Sequence, residues 1–326
     1  MVKGMSMTLL DRARSKAGWQ PARLQSFFLT RGILLIVLQF TVINLGWKLA
    51  EDGLVFTEIS WSLLLHASAP TRFHGVLFSL TTSMILASIL MRYSTPVVMA
   101  FAGLVLLAPE LYLPLLTYPD VTRSVPSWIA ALTIPGHWPD AFILYTPVPW
   151  LGMTLCGLIL ERLFLESRKR FEAMLIPVGL SALELFVLGI AIASLLDRPA
   201  SLIEAFHLRR YPPHLLLLVY ATGVNCLLLA LLQRYNFGIL DAVLITFGQS
   251  ALMCYVTRLF IFLFAIRLSG QEPALTHGIS LAVLCLAAMY PLSMAYSVLI
   301  KPRFRPALLR GERALRAATR EILARD

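Results

Sequence analysis

Residues 209–259 read RRYPPHLLLLVYATGVNCLLLALLQRYNFGILDAVLITFGQSALMCYVTRL, two long apolar runs separated by a short polar break. The stretch opens on a Tyr211-Pro212-Pro213 corner, is interrupted at Phe247-Gly248-Gln249, and holds one arginine, Arg258, inside hydrophobic sequence. Runs of about 20 mostly apolar residues cross a bilayer as helices, because a helix satisfies its own backbone polar groups in hydrocarbon. Composition agrees: 58% of residues are hydrophobic, only 14% are charged, and the mean hydropathy is +0.75. A soluble domain carries roughly 25% charged residues.

Outward from this stretch, eight spans are predicted, near residues 31–49, 75–93, 96–117, 142–164, 174–196, 213–233, 243–267 and 276–299. The fold class is therefore all-α, a polytopic membrane helix bundle. A basic segment (1–30) precedes the membrane domain (31–300), and a basic amphipathic tail (301–326) follows it. Residues 1–30 have no apolar signal core and read as a short surface helix broken at Pro21. The Tyr93-Ser94-Thr95-Pro96 corner predicts an antiparallel hairpin of the second and third spans. Pro109, Pro114, Pro147, Pro149 and Pro177 fall inside or near spans and predict kinks, since proline removes a helix hydrogen bond. In the tail, Leu308, Leu315 and Ile322 recur every seventh residue with arginines opposite, the pattern of a helix lying on an anionic leaflet.

Lysine and arginine set the orientation. With the N-terminus inside, cytoplasmic segments hold 20 of the 28 basic residues and the opposite side 7, with Arg258 within a span. Both termini are then cytoplasmic. All six histidines (His66, His74, His137, His207, His214, His277) fall on the outer side, as do Trp61, Trp128 and Trp138. They form either an interfacial aromatic belt or the lining of an outer cavity. The net charge of +10 does not point to nucleic acid, because the charges sit at the chain ends and between apolar runs. Cys156, Cys226, Cys254 and Cys285 lie in apolar runs without metal spacing, as small buried side chains do; no metal site is expected.

Ionisable groups at membrane depth are costly and are functional candidates. Glu110, Glu184 and Arg258 are three. Arg258 either pairs with Glu184 or Glu110, or contacts the phosphate or carboxylate of a substrate. The amides of Gln39, Asn44, Asn225 and Gln249 read as interhelical hydrogen-bonding groups. The chain has no phosphate-cradling glycine loop, HExxH, Gly-x-Ser-x-Gly or EF-hand pattern, so it matches no soluble-enzyme motif of these kinds.

The opening stretch resembles the bacterial DUF1624 family, which belongs with the heparan-alpha-glucosaminide N-acetyltransferase catalytic domain. Tyr211, Pro212 and Pro213 match one family helix start, and Phe247, Gly248 and Tyr255 match a second segment, which in the family ends in Tyr-x-x-His. The patches FFLTRGILLIVLQFTVINLGW (Arg31, Gly32, Asn44, Trp47) and LYTPVPWLGMTLCGLILERLF (Pro149, Trp150, Gly152) are similar too. The resemblance covers roughly residues 20–300. It implies acyl transfer from a cytoplasmic acyl-CoA, the implied donor, to a sugar or glycan acceptor outside a bacterial inner (cytoplasmic) membrane. The sequence departs from the family pattern twice. Arg31-Gly32 aligns with the family's third helix, which leaves the catalytic histidine unmatched, and Arg258 stands where the family has the histidine of Tyr-x-x-His. The family's first two helices are then missing from this chain. Two further spans carrying Arg-Gly and Asp-His in the coding DNA upstream of Met1, in frame or as a neighbouring reading frame, would favour the enzyme reading. Their absence would count against an intact family member.

These readings make Arg258, Tyr255, Tyr211 and Asn225 the candidates for substrate contact, with Glu110 and Glu184 as intramembrane charge partners. His74, His137 or His214 stands in as the catalytic base. Partners are membrane lipids, a glycan or sugar acceptor, and a separate N-terminal segment or a second copy of the chain. The competing reading is a partial or inactive member, or a non-enzymatic membrane protein: a scaffold, or a transporter or flippase subunit.

Overall fold

The computed structural model describes residues 1–51, 72–112, 125–138, 141–197, 215–269, 275–300 and 302. His66, Pro114, His207, Tyr211, His214 and residues 303–326 lie outside the described residues. The chain forms two compact units, one of Met1–Gln39 with Ala69–Tyr235 and one of Phe40–Ser68 with Asn236–Asp326.

In the first unit, α1 (Val2–Lys16) is followed by α2 (Pro21–Leu38), strand β1 (Arg72–His74), α4 (Val76–Leu90), α5 (Thr95–Tyr112), α6 (Ser127–Thr133), strands β2 (Gly136–Trp138) and β3 (Ala141–Ile143), α7 (Pro147–Glu166), α8 (Arg168–Asp197) and α9 (Leu215–Arg234). A π-helical turn (Gln39–Ile43) and α3 (Asn44–Glu51) continue α2 across the unit boundary. The second unit adds α10 (Ile239–Gln249), α11 (Ala251–Ser269), α12 (Leu275–Ala295) and a π turn (Tyr296–Ile300).

Among the described residues, six stretches are long and apolar enough to cross a membrane: Pro21–Trp47, Thr95–Tyr112, Pro147–Glu166, Arg168–Ile192, Leu215–Arg234 and Ala282–Leu299. The count rises to seven if Ile239–Gln249 and Ala251–Ile261, bent by 84° at Ser250, form one span. Eight spans were predicted. Two of the predicted runs fall short for different reasons: Val76–Leu90 is apolar but shorter than a full span, and 243–267 is broken. The break follows Phe247-Gly248-Gln249. There Ser250 turns its hydroxyl back to the Thr246 carbonyl at 2.7 Å and, with φ −113° and ψ 16°, leaves the helix.

The first unit is organised around α7, the most buried of its spans. Pro147 and Pro149 sit in its first turn, where a missing N–H costs nothing, so they start the helix and do not kink it. Pro109 and Pro177 do lie inside α5 and α8. A core of Met7, Leu24, Phe27, Phe28, Ala87, Val98, Leu151, Leu155 and Leu158 joins α1, α2, α4 and α5 to α7. The predicted turn between α4 and α5 is present, with Tyr93 N–H donating to the Leu90 carbonyl at 3.1 Å. Arg162 of α7 grips it, donating to the Met91 carbonyl at 2.8 Å and to Thr95 Oγ1 at 3.2 Å.

The N-terminal helix corrects the expectation of a surface segment. It ends at Gly18 (φ 76°), and α2 starts at Pro21 as the proline predicts. Yet one face of α1 packs along α7, because Gly4, Met7 and Thr8 on that face are small or apolar enough for close approach. Gly4 sits directly against the Thr154 carbonyl, with no room for a Cβ. Gly4, Met7 and Thr8 are buried, and the basic residues collect near the helix end, where Asp11 pairs with Arg92 at 3.2 Å.

Helices α8 and α9 form the second layer. They cross where a Cβ on Gly223 would stand 2.9 Å from the Gly179 carbonyl, the small-residue contact by which membrane helices approach closely. Overpacking a crossing of this kind costs about 1–3 kcal/mol. Gly223→Leu is expected to lower the thermal midpoint of the detergent-solubilised protein by several degrees, measured by fluorescence-detected size exclusion. Leu228→Ala, on the exposed face of α9, is expected to leave it unchanged.

Candidate functional site at the sheet end of the first unit

The spans of the first unit share two ends. One collects Arg12, Arg14, Arg23, Arg92, Arg162, Arg168, Lys169 and Arg170. The other carries the three-stranded sheet, in the order β1-β3-β2. Strand β1 runs parallel to β3, with His74 opposite Ile143, and β2 runs antiparallel, with His137 opposite Phe142.

The backbone fixes His74 tightly. Its carbonyl accepts from the N–H groups of Leu144 and Tyr145, both at 3.2 Å. Its ring lies 4.5 Å from that of Phe78, and the residue is buried. The preceding carbonyl, of Phe73, accepts from Gln39 Nε2 at 3.1 Å, so a fully buried amide at the end of α2 holds the strand. Gly75 then caps α4: a Cβ there would reach 2.6 Å from the Phe73 ring and 3.3 Å from the Gln39 amide. His74 thus stands at the mouth of α4 between a strand, a buried amide and an aromatic ring.

Behind it the α4–α7 seam is polar. Ser79 donates to the Thr146 carbonyl at 3.3 Å, and Ser83 to those of Ser79 at 2.7 Å and Pro147 at 3.2 Å. Thr146 Oγ1 and Trp150 Nε1, at the start of α7, are buried and have no hydrogen-bond partner among the described residues. Buried polar atoms are nearly always satisfied, so these two leave hydrogen-bonding capacity for a water or a ligand group. The Trp150 ring itself packs 5.9 Å from Tyr145.

Of the sequence candidates, His74, Glu110, Glu184 and Asn225 belong to the first unit, and Arg258 and Tyr255 to the second. Glu110 accepts from the Leu215 N–H at 2.7 Å, capping α9 where the helix dipole favours a carboxylate. Glu184 is exposed on α8. Asn225 turns back on its own helix, donating to the Ala221 carbonyl at 2.6 Å. Arg258 is exposed in its unit and stacks 4.7 Å from the Tyr255 ring, one turn away on α11. His137 is placed by its strand pairing only, its side chain lying outside the described part. Sequence reasoning missed Glu161, which is 1% exposed on α7 and has one oxygen without a partner among the described residues. Its signal was the small and polar stripe Thr154, Gly157, Glu161 facing α1.

Helices of this length and apolarity around a buried polar end define an integral membrane protein of the helix-bundle class. Its family follows from the sequence: the profile described as heparan-alpha-glucosaminide N-acetyltransferase, catalytic, matches residues 2–196. The chain belongs to that family, and is an acyltransferase-like membrane protein. No curated protein and no solved structure matches it significantly. The match includes His74, Glu110 and α7, and ends before residues 209–259.

Losing a helix cap costs about 1 kcal/mol. Glu110→Ala is therefore expected to lower the thermal midpoint by a few degrees, while Glu110→Gln, which still accepts from Leu215, retains most of it. A larger loss in the glutamine variant than in the alanine variant would show that the cap is not the role of Glu110.

Proposed function

We propose that the protein transfers an acyl group from a cytoplasmic acyl-CoA to a hydroxyl or amine of a sugar or glycan, with the sheet end facing outward across a bacterial inner membrane. The observation that carries this reading is the fixed, buried His74 at the sheet end of the first unit, within the stretch that the family match covers. In this reaction the imidazole takes the proton of the acceptor as its oxygen or nitrogen attacks the thioester carbonyl. The CoA sulfur then leaves and recovers a proton from the imidazolium. Trp150 Nε1 and Thr146 Oγ1 supply donors for an acceptor hydroxyl or the developing oxyanion. At the opposite end the exposed Arg23, Arg168 and Arg170 suit the donor phosphates.

His74 then takes the role of the catalytic histidine that the resemblance implies. A base of this kind contributes about 10²–10⁴-fold. His74→Ala is expected to reduce acyl-CoA turnover by purified protein at least about a hundredfold, with the elution profile of the folded protein unchanged. Unchanged turnover would remove His74 from the mechanism. If neither the wild type nor Arg258→Ala turns over any acyl-CoA while a competent relative does, acyl transfer itself loses support.

One observation favours a second reading. The 84° break at Ser250 puts a discontinuous helix before Arg258, and broken helices form substrate sites in transporters. A transporter or flippase subunit with Arg258 on an anionic substrate would lose substrate movement in vesicles on Arg258→Ala and be indifferent to His74→Ala.

A further inference from the structure

A second feature of the first unit lies away from His74: a cavity of about 450 Å³ between α5, α7, α8 and α9. Its floor is Met153 and Cys156 of α7, and its walls include Pro177, Ser181 and Ala182 of α8 and Thr222 of α9. Small side chains at four of these six positions leave the space unfilled. Well-packed interiors rarely keep a void of this size, and it falls in the range of about 300–1,000 Å³ usual for ligand pockets.

The lining chooses the occupant. Water in a cavity needs two to four polar partners. The Thr222 hydroxyl is already spent on the Leu218 carbonyl at 2.8 Å, with Met153 Sδ 3.5 Å away, and Ser181 lies at the exposed mouth. At the sheet end the cavity is closed where Glu110, one turn beyond Leu106, binds the N–H of Leu215; both leucines line it. Toward the basic end it stops at Val178, beyond which Phe171, Leu175 and Cys226 are packed together. The mouth runs along Pro177, Ser181 and Leu185, on the α8 surface that also exposes Val187 and Leu188. In a bilayer that surface faces hydrocarbon.

We propose that this cavity holds one hydrocarbon chain of a membrane phospholipid, entering sideways from the bilayer between α5 and α8. The volume suits roughly a dozen methylene groups at interior packing density. A buried methylene gains free energy when it leaves water, but nothing comparable when it leaves lipid. Retention therefore rests on fit and on filling the void, and it is sensitive to cavity shape. The site is independent of the acyl-transfer reading, and its test does not use turnover.

The test uses the full-length protein in phosphatidylethanolamine–phosphatidylglycerol vesicles containing a phosphatidylcholine with a diazirine midway along one palmitoyl chain. After irradiation, adducts are mapped by peptide mass spectrometry. Adducts are expected on the α7 peptide that holds Met153 and Cys156, side chains a lipid in the surrounding annulus does not reach. Ala182→Trp, which fills the cavity, is expected to cut these adducts about fivefold or more, since a close-packed site has no spare volume. Leu188→Trp, on the exposed α8 face, is expected to leave them unchanged. Adducts on exposed α8 residues serve as the internal standard for folding and insertion. Should Ala182→Trp misfold, Thr222→Met narrows the same cavity from the other wall. Absence of α7 adducts, their persistence in both filling variants, or their appearance only when the diazirine is carried on an acyl-CoA would each overturn the proposal.

Discussion

The close packing of α7 holds the first unit together. This helix meets α1, α4, α5 and α8, and it does so because its faces carry different chemistry. Gly152 and Gly157 let neighbouring backbones approach, Leu151, Leu155 and Leu158 fill the core, and Arg162 ties its end to the turn between α4 and α5. In lipid no hydrophobic force drives helices together, so contact area and interhelical hydrogen bonds decide association. A helix with small residues at its crossings gains both.

That constraint also builds the site. The two prolines start α7 at the depth where Thr146 meets Ser79, and this brings the polar seam against α4. The short α4 leaves space for β1 and β3 at the same end, and Gln39 fastens β1 through the Phe73 carbonyl. His74 is consequently held by backbone geometry at the sheet end. A side chain placed this way has little conformational freedom left to lose. The arginines of the opposite end serve the fold as well as the surface: Arg92 reaches Asp11 and the Pro21 carbonyl, and Arg14 and Arg23 both stack on Trp19.

The second unit follows a different logic. Ser250, Cys254 and Ser293 form a buried polar chain, with Cys254 Sγ 3.0 Å from Ser293 Oγ. It lies at the bend between α10 and α11, where backbone groups leave regular helix pairing. Arg258 lies two turns beyond the bend, and its charge is attracted to the face of the Tyr255 ring. The residue that looked most telling in the sequence thus lies outside the stretch that the family match covers.

The sequence by itself determined the membrane class, the family, the apolar runs, the α4–α5 turn and the break at Pro21. Those features depend on hydropathy and on local backbone chemistry, which act within a few residues. It also marked Phe247-Gly248-Gln249 as a break, although not that the helix turns by 84° there. Only the tertiary structure decided that α1 is packed against α7. The sequence shows a basic segment, whereas the fit of Gly4 against Thr154 depends on two residues 150 positions apart. The same holds for Glu110, whose carboxylate caps a helix far along the chain, and for His74, one of six histidines until the sheet fixed it. Charge and hydropathy act locally and can be read along a chain, but which polar atoms meet is set by helix packing, which a linear pattern does not encode.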